Sequence, residues 1–478
     1  MITGNTFKKL RACARGFLFL GVWASLLASP VYAVSSQFPV KSAGIATTSK
    51  QDVNAFSQPS ANLSFEKRLD FSVGNSFFRN PWVIAPASTT ARDGLGPLFN
   101  TNGCQNCHIK DGRGHLPESP EDNLVSALVR LSRQPTSKKE WQQVRKQGAL
   151  PDPNYGTQIQ DFAIAGHMPE ARIVITYDSH WVELNGGQKV ELVKPVVSLK
   201  DLHYGPMHPN TVTSLLIAPP MIGLGLLEAI PDATLQSMAD PEDKNGDGIS
   251  GRINWVNQLG ASDLAVGRFG WKAEQPSLKQ QNAAAFLGDI GITSSLFPEE
   301  NCQPSQRDCA QAIHGGTPEV SDNILNKVTF YTRNLAVPKR RNALDKQVLR
   351  GESLFIESGC YQCHRTGLVT ALLPNQPEQS ELTIYPYTDL LLHDMGEGLA
   401  DHRAVFGASG SEWRTAPLWG IGLTAVVNGK EHYLHDGRAR TLLEAILWHG
   451  GEAYASKQTV VDMAPSDRLA LIKFLQSL

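Results

Sequence analysis

Cys104-Gln105-Asn106-Cys107-His108 and Cys360-Tyr361-Gln362-Cys363-His364 repeat one pattern, C-x-x-C-H, in the two halves of a 478-residue chain. Two thiols at this spacing can each add to one vinyl group of a haem, and the adjacent histidine then lies under the ring with a nitrogen aimed at iron. A redox C-x-x-C pair and half of a zinc site are the competing readings. Zinc needs two further ligands, and neither alternative explains a histidine directly after both pairs. The pattern therefore predicts two covalently bound haem c groups, attached at Cys104, Cys107, Cys360 and Cys363, with His108 and His364 as iron ligands.

The other cysteines fit an exported protein. Lys8, Lys9, Arg11 and Arg15 precede an apolar run from Gly16 to Ala28, and Val31-Tyr32-Ala33 offers small residues at a cleavage site. Residues 1–33 read as a signal peptide, with an uncleaved anchor as the alternative, and they carry Cys13 with them. Cleavage removes four of the 44 basic residues and none of the 46 acidic ones. The acidic balance that remains speaks against a nucleic-acid partner. No other stretch is apolar and long enough to span a membrane. Cys302 and Cys309 enclose a short loop, and in an oxidising periplasm a local disulfide is expected, with a catalytic redox pair as the minor alternative.

The flanks of the two motifs also repeat. Leu98-Phe99 stands before Gly103-Cys104 as Leu354-Phe355 stands before Gly359-Cys360. Ala218-Pro219-Pro220-Met221-Ile222-Gly223 is echoed by Ala416-Pro417-Leu418-Trp419-Gly420. A helix is expected over 345–357, and another is expected near the end of the chain, capped by Ser466. A β-like insert reads as two runs, Arg172 to Tyr177 and Trp181 to Val193, with a hairpin turn at Asn185-Gly186-Gly187. The expected fold is mainly α: two cytochrome c-type haem domains, 62–336 and 337–478, the first enlarged by the small β-rich insert. Residues 34–61 are polar and aperiodic and read as a disordered lead-in. Val337-Pro338 and the basic run Lys339-Arg340-Arg341 read as the junction.

Several blocks together resemble the bacterial di-haem cytochrome c peroxidase and MauG-type superfamily, and within it the di-haem oxidoreductase group, also labelled thiol oxidoreductases. They are Gly94-Leu95-Gly96-Pro97-Leu98-Phe99-Asn100, Asp111-Gly112-Arg113-Gly114, Gly223 to Pro231, Asp247-Gly248-Ile249-Ser250-Gly251-Arg252, His393-Asp394-Met395-Gly396, Arg414 to Trp419 and His435-Asp436-Gly437. The resemblance covers residues 62–478. It implies one haem that meets hydrogen peroxide or another small oxidant and one that feeds it electrons from a small redox donor protein.

The same resemblance points to His449, in the helix after the His435 block, as a distal iron ligand. The alternative for His449 is a histidine satisfying helix-terminal carbonyls, and Met395 is the runner-up ligand. For the N-terminal haem the sequence names no sixth ligand, with His115, His167, His203 and His208 all available. Glu228, a carboxylate inside an apolar Gly/Leu segment, is a candidate general acid–base for O–O cleavage or a structural hydrogen-bonding residue. Asp243, Asn245 and Asp247, with the Ile249 carbonyl, match the first positions of a calcium loop, although position twelve is Asn254; an Asx-rich turn is the alternative. A peroxidase-type oxidoreductase and a non-enzymatic electron carrier or redox sensor both remain open, separated by whether one iron has an accessible sixth position.

Overall fold

The structure, a computed structural model, describes residues 36–119, 122 and 124–478; the expected signal peptide lies outside them. Among the described residues no helix is long and apolar enough to cross a membrane.

Two crossed helix pairs organise the chain. In the first, α1 (Phe65–Arg79) packs on α3 (Asp322–Arg333), each opened by a serine cap: Ser64 accepts from Lys67 N and Ser321 from Ile324 N. In the second, α4 (Lys346–Glu357), capped by Asp345, packs on α6 (Pro465–Ser477). Both crossings are close because a glycine sits at the contact. A side chain at Gly74 would overlap Lys327 O, and one at Gly351 would overlap Ala470 O. Among the helices between the members of each pair, one with a side-chain cap faces each cavity: α2 (Leu278–Ile290) and α5 (Leu442–Trp448). The last helix starts at Pro465 rather than after Ser466, because proline suits the first helical position, where no amide partner is required.

The expectation of a mainly α fold is corrected. The described residues are 30% helical and 17% strand, a mixed fold, with all their named strands in two-stranded antiparallel ribbons. Besides short ribbons, β1 (Ala127–Arg133) pairs with β4 (Thr211–Ile217), and β2 (Arg172–Glu183) with β3 (Lys189–Lys200) over twelve residues each. The insert thus forms strands longer than expected, with no break after Tyr177, and turns at Asn185–Gly187 as expected. Its tip is tied down: Asn185 N donates to Val461 O at 2.9 Å, and Arg468 Nη2 to Asn185 O at 2.8 Å.

The expected disordered lead-in is also corrected over its described part. Phe38, Ala43 and Phe56 are buried, and the backbone finds fixed partners, Thr48 N to Val337 O at 3.0 Å and Arg340 N to Val40 O at 2.9 Å. Isolated apolar residues that each fill a separate site leave no periodic trace. The basic run after Val337 is packed as well: Arg340 is buried against Glu352 at 3.0 Å. Residues 36–478 form one compact unit.

Candidate functional site

Each C-x-x-C-H motif lies on the wall of a large cavity. The first holds about 1560 Å³ of empty space and is lined by Cys104, Cys107 and His108; the second holds about 1380 Å³ and is lined by Cys360, Cys363 and His364. His108 Nδ1 donates to Pro219 O, and His364 Nδ1 to Tyr387 O, both at 2.8 Å. A carbonyl only accepts, so the proton is held on Nδ1 and the Nε2 lone pair is left for a metal. Burial pushes both imidazoles down to about 4, so both are neutral near pH 7. The carbonyl that orients His364 comes from Tyr387, not from the 416–419 echo of the Pro219 segment. That echo instead lies between the two cavities, Ala416 lining both.

In the second cavity His449 has the same hydrogen-bonding pattern as the two motif histidines. Its Nδ1 donates to Ala445 O at 2.7 Å, and burial lowers its pKa. Met395 lines the same cavity, as do His393 and His435. His393 is already committed. Its nitrogens meet Glu452 at 2.7 Å and Asp389 at 3.0 Å, two acceptors, so both must carry protons. Burial opposes that charge, but the hydrogen bonds to Asp389, Cys363 and Glu452 outweigh it and raise the pKa well above the ordinary value. His435 stacks on Trp413 at 3.7 Å, and burial lowers it to about 4.

The two cavities share a wall made by Arg113, Trp271, Arg414 and Ala416. Trp271 is fixed by its indole N–H on Ile217 O at 2.8 Å. Arg113 is only 5% exposed, and its Nε and Nη1 have no hydrogen-bond partner in the chain. Burial lowers its pKa only to about 10, so it stays a cation. An unpaired buried guanidinium costs several kcal/mol. Carboxylates such as haem propionates would satisfy it, and also the orphaned Nη1 of Arg268 in the first cavity. The residues present therefore fit a haem in each cavity.

A family model described as "Di-haem oxidoreductase, putative peroxidase" matches residues 38–478. The chain belongs to this family. No protein of curated function matches it significantly. As a di-haem oxidoreductase it uses haem cofactors, and the two cavities are where they would sit.

The helices α2 and α5 show where the two sites differ. Ser277 caps the first by accepting from Gln280 N, and Thr441 caps the second by accepting from Glu444 N. Counted from these caps, Leu278, Gln281, Asn282 and Ala285 line the first cavity at the positions where Leu442, Ala445, Ile446 and His449 line the second; α5 ends at Trp448 with His449 as its C-cap, whereas α2 runs on to Ile290 and adds Asp289 to the cavity wall. Ala285 stands at the position of His449.

Other expected residues lie elsewhere. Glu228 lines neither cavity: its Oε1 accepts from Leu278 N at 2.8 Å and its Oε2 from Arg333 Nε at 2.7 Å. It holds the start of α2 against α3, so both oxygens are engaged away from any substrate. The carboxylates that do line the first cavity are Glu274 and Asp289. Sequence reading missed them because neither belongs to a recognisable motif; only the cavity register of α2 reveals Asp289. None of His115, His167, His203 and His208 lines a cavity. In the acidic loop, Asp243 Oδ1 accepts from Asp247 N at 3.0 Å and Asn245 Oδ1 from the same amide at 2.9 Å. Asp247 Oδ1 accepts from Ile249 N. The loop closes on its own amides. Cys302 and Cys309 are disulfide-bonded.

Proposed function

We propose that this di-haem oxidoreductase is a periplasmic peroxidase-type enzyme in which the N-terminal site meets a hydroperoxide and the C-terminal site passes electrons to it. The carrying observation is Ala285 against His449 at equivalent positions. Cys104, Cys107 and His108 would hold one haem c, and the methyl side chain of Ala285 on the same cavity wall would leave room for a small oxidant. Cys360, Cys363, His364 and His449, with Met395 as the alternative to His449, would hold the other, a donor set that suits electron transfer. When bound, the haems supply redox-active iron.

The chain supplies the rest. Trp271 and Arg113 separate the two sites by a single packed layer. Glu274, with Oε2 oriented by Lys272 N at 2.9 Å, brings a carboxylate to the N-terminal cavity that can hold and return a proton. Gln281 and Asp289 add polar groups beside it. Peroxide reduction consumes two electrons and two protons and leaves two waters. A small redox protein is the expected source of the electrons.

The test is ligand access to iron in the holoprotein. Cyanide should bind one haem and alter its spectrum, and Ala285→His should abolish that binding while both haems stay attached. Two haems closed to cyanide and peroxide in every redox state would establish a di-haem electron carrier instead.

A further inference from the structure

The two helix crossings align residue by residue. Gly74 approaches Tyr331 as Gly351 approaches Phe474. One turn on, Phe78 lies 5.2 Å from Tyr331, and Phe355 lies 5.1 Å from Phe474, ring centre to ring centre. Tyr331 thus takes the place of Phe474. Counted from the motif histidines His108 and His364, Asp111 takes the place of Gly367. The N-terminal site therefore carries a phenol and a carboxylate where the C-terminal site has a phenyl ring and a hydrogen atom.

The two additions meet each other. Tyr331 Oη donates to Asp111 Oδ1 at 2.7 Å, and Ser57 Oγ donates to Asp111 Oδ2 at 2.6 Å. Tyr331 and Asp111 are each only 1% exposed. Phe78, on the wall of the N-terminal cavity, stands between Tyr331 and the His108 ring, 6.1 Å from the latter. An anchor for a tyrosine hydroxyl needs only a neutral acceptor, such as a backbone carbonyl. Burying a carboxylate for that purpose costs more than the hydrogen bond returns. A carboxylate differs from a carbonyl in being able to take the proton.

We propose that Tyr331 is a redox-active side chain that stores one oxidising equivalent of the N-terminal site, with Asp111 as its proton acceptor. The proposal rests on the peroxidase reading for its natural oxidant, a hydroperoxide. Once the hydroperoxide has taken two electrons from the site, Tyr331 gives one electron back to it. The Tyr331 O–H bond breaks, the proton passes to Asp111 Oδ1, and a phenoxyl radical remains. An electron arriving from the C-terminal site, with the same proton returning from Asp111, restores the phenol. The pair thus holds oxidising power in the protein when donor electrons are late.

Rapid-freeze electron paramagnetic resonance of the holoprotein tests this, with peroxide in one arm and a photogenerated ruthenium oxidant in the other. Ring-deuterated tyrosine should narrow the radical signal and identify it as tyrosyl. Tyr331→Phe, which copies the packing at Phe474, should remove that signal and lengthen the life of the oxidised haem by about tenfold or more. Asp111→Asn should lower the radical yield, and in the unaltered protein radical formation should slow in D2O, a readout that needs no variant to fold. A peroxide-oxidised haem with no tyrosyl radical, or with an undiminished one in Tyr331→Phe, overturns the proposal and leaves the peroxidase reading standing. Haems inert to peroxide, with a Tyr331-dependent radical under photo-oxidation, overturn the peroxidase reading and leave this one standing.

Discussion

The two halves that carry the C-x-x-C-H motifs share one scaffold and differ along the cavities beside those motifs. Each has a glycine-centred helix crossing, a motif histidine pinned through Nδ1 to a carbonyl, and a capped helix along its cavity. On that common frame, His449 is matched by Ala285 and Ala445 by Gln281, while Asp289 lies on a part of α2 that extends beyond the end of α5. The C-terminal half has the potential ligand and apolar neighbours; the N-terminal half has the small residue and polar ones. A duplicated fold can thus divide binding and electron supply by substitutions on the cavity-facing helix and by its length, since α2 runs on to Ile290 whereas α5 ends at Trp448.

The largest expected effect comes from erasing that difference. Ala285→His should cut peroxide turnover by at least about a hundredfold, read by stopped-flow, and give a second low-spin haem in the optical spectrum. An unchanged rate would break the asymmetry between the halves. The reverse change, His449→Ala, should convert the C-terminal haem to a high-spin or water-ligated form. Met395→Leu should leave it low-spin; the opposite pair of results would assign Met395 as the ligand.

Glu274→Gln should slow peroxide reduction by roughly a hundredfold, within the usual range for acid–base catalysis, with the cyanide-binding spectrum retained. Glu228→Gln sharpens the same contrast. It should leave turnover alone and lower unfolding stability by roughly 1–3 kcal/mol, since it removes the charge that pairs with Arg333. A turnover defect there would restore the catalytic role first expected for Glu228. Replacing Cys302 and Cys309 together by serine should have the smallest effect on the comparison, lowering stability by roughly 2 kcal/mol with both haem spectra intact.

The C-x-x-C-H motifs, the helix over 345–357 and the Asn185-Gly186-Gly187 turn were readable directly, because each depends on residues close together in the chain. Glu228 was left with two readings, catalytic or structural, for the opposite reason. A lone carboxylate in an apolar stretch has the same local appearance whether it faces a substrate or, as here, an arginine from a helix about a hundred positions away. The mainly α expectation failed because the paired ribbons contribute more strand than the single hairpin read from the insert.

Sequence alone determined where two haems could attach and which histidines follow them, since thiol spacing and the next residue are local covalent facts. It also carried the duplication. Only the tertiary structure decided that Ala285 answers His449, that Tyr331 reaches Asp111 and that Trp271 and Arg113 stand between the cavities. Those relations join segments far apart in the chain, and they exist only once burial of the helix faces has brought the segments together.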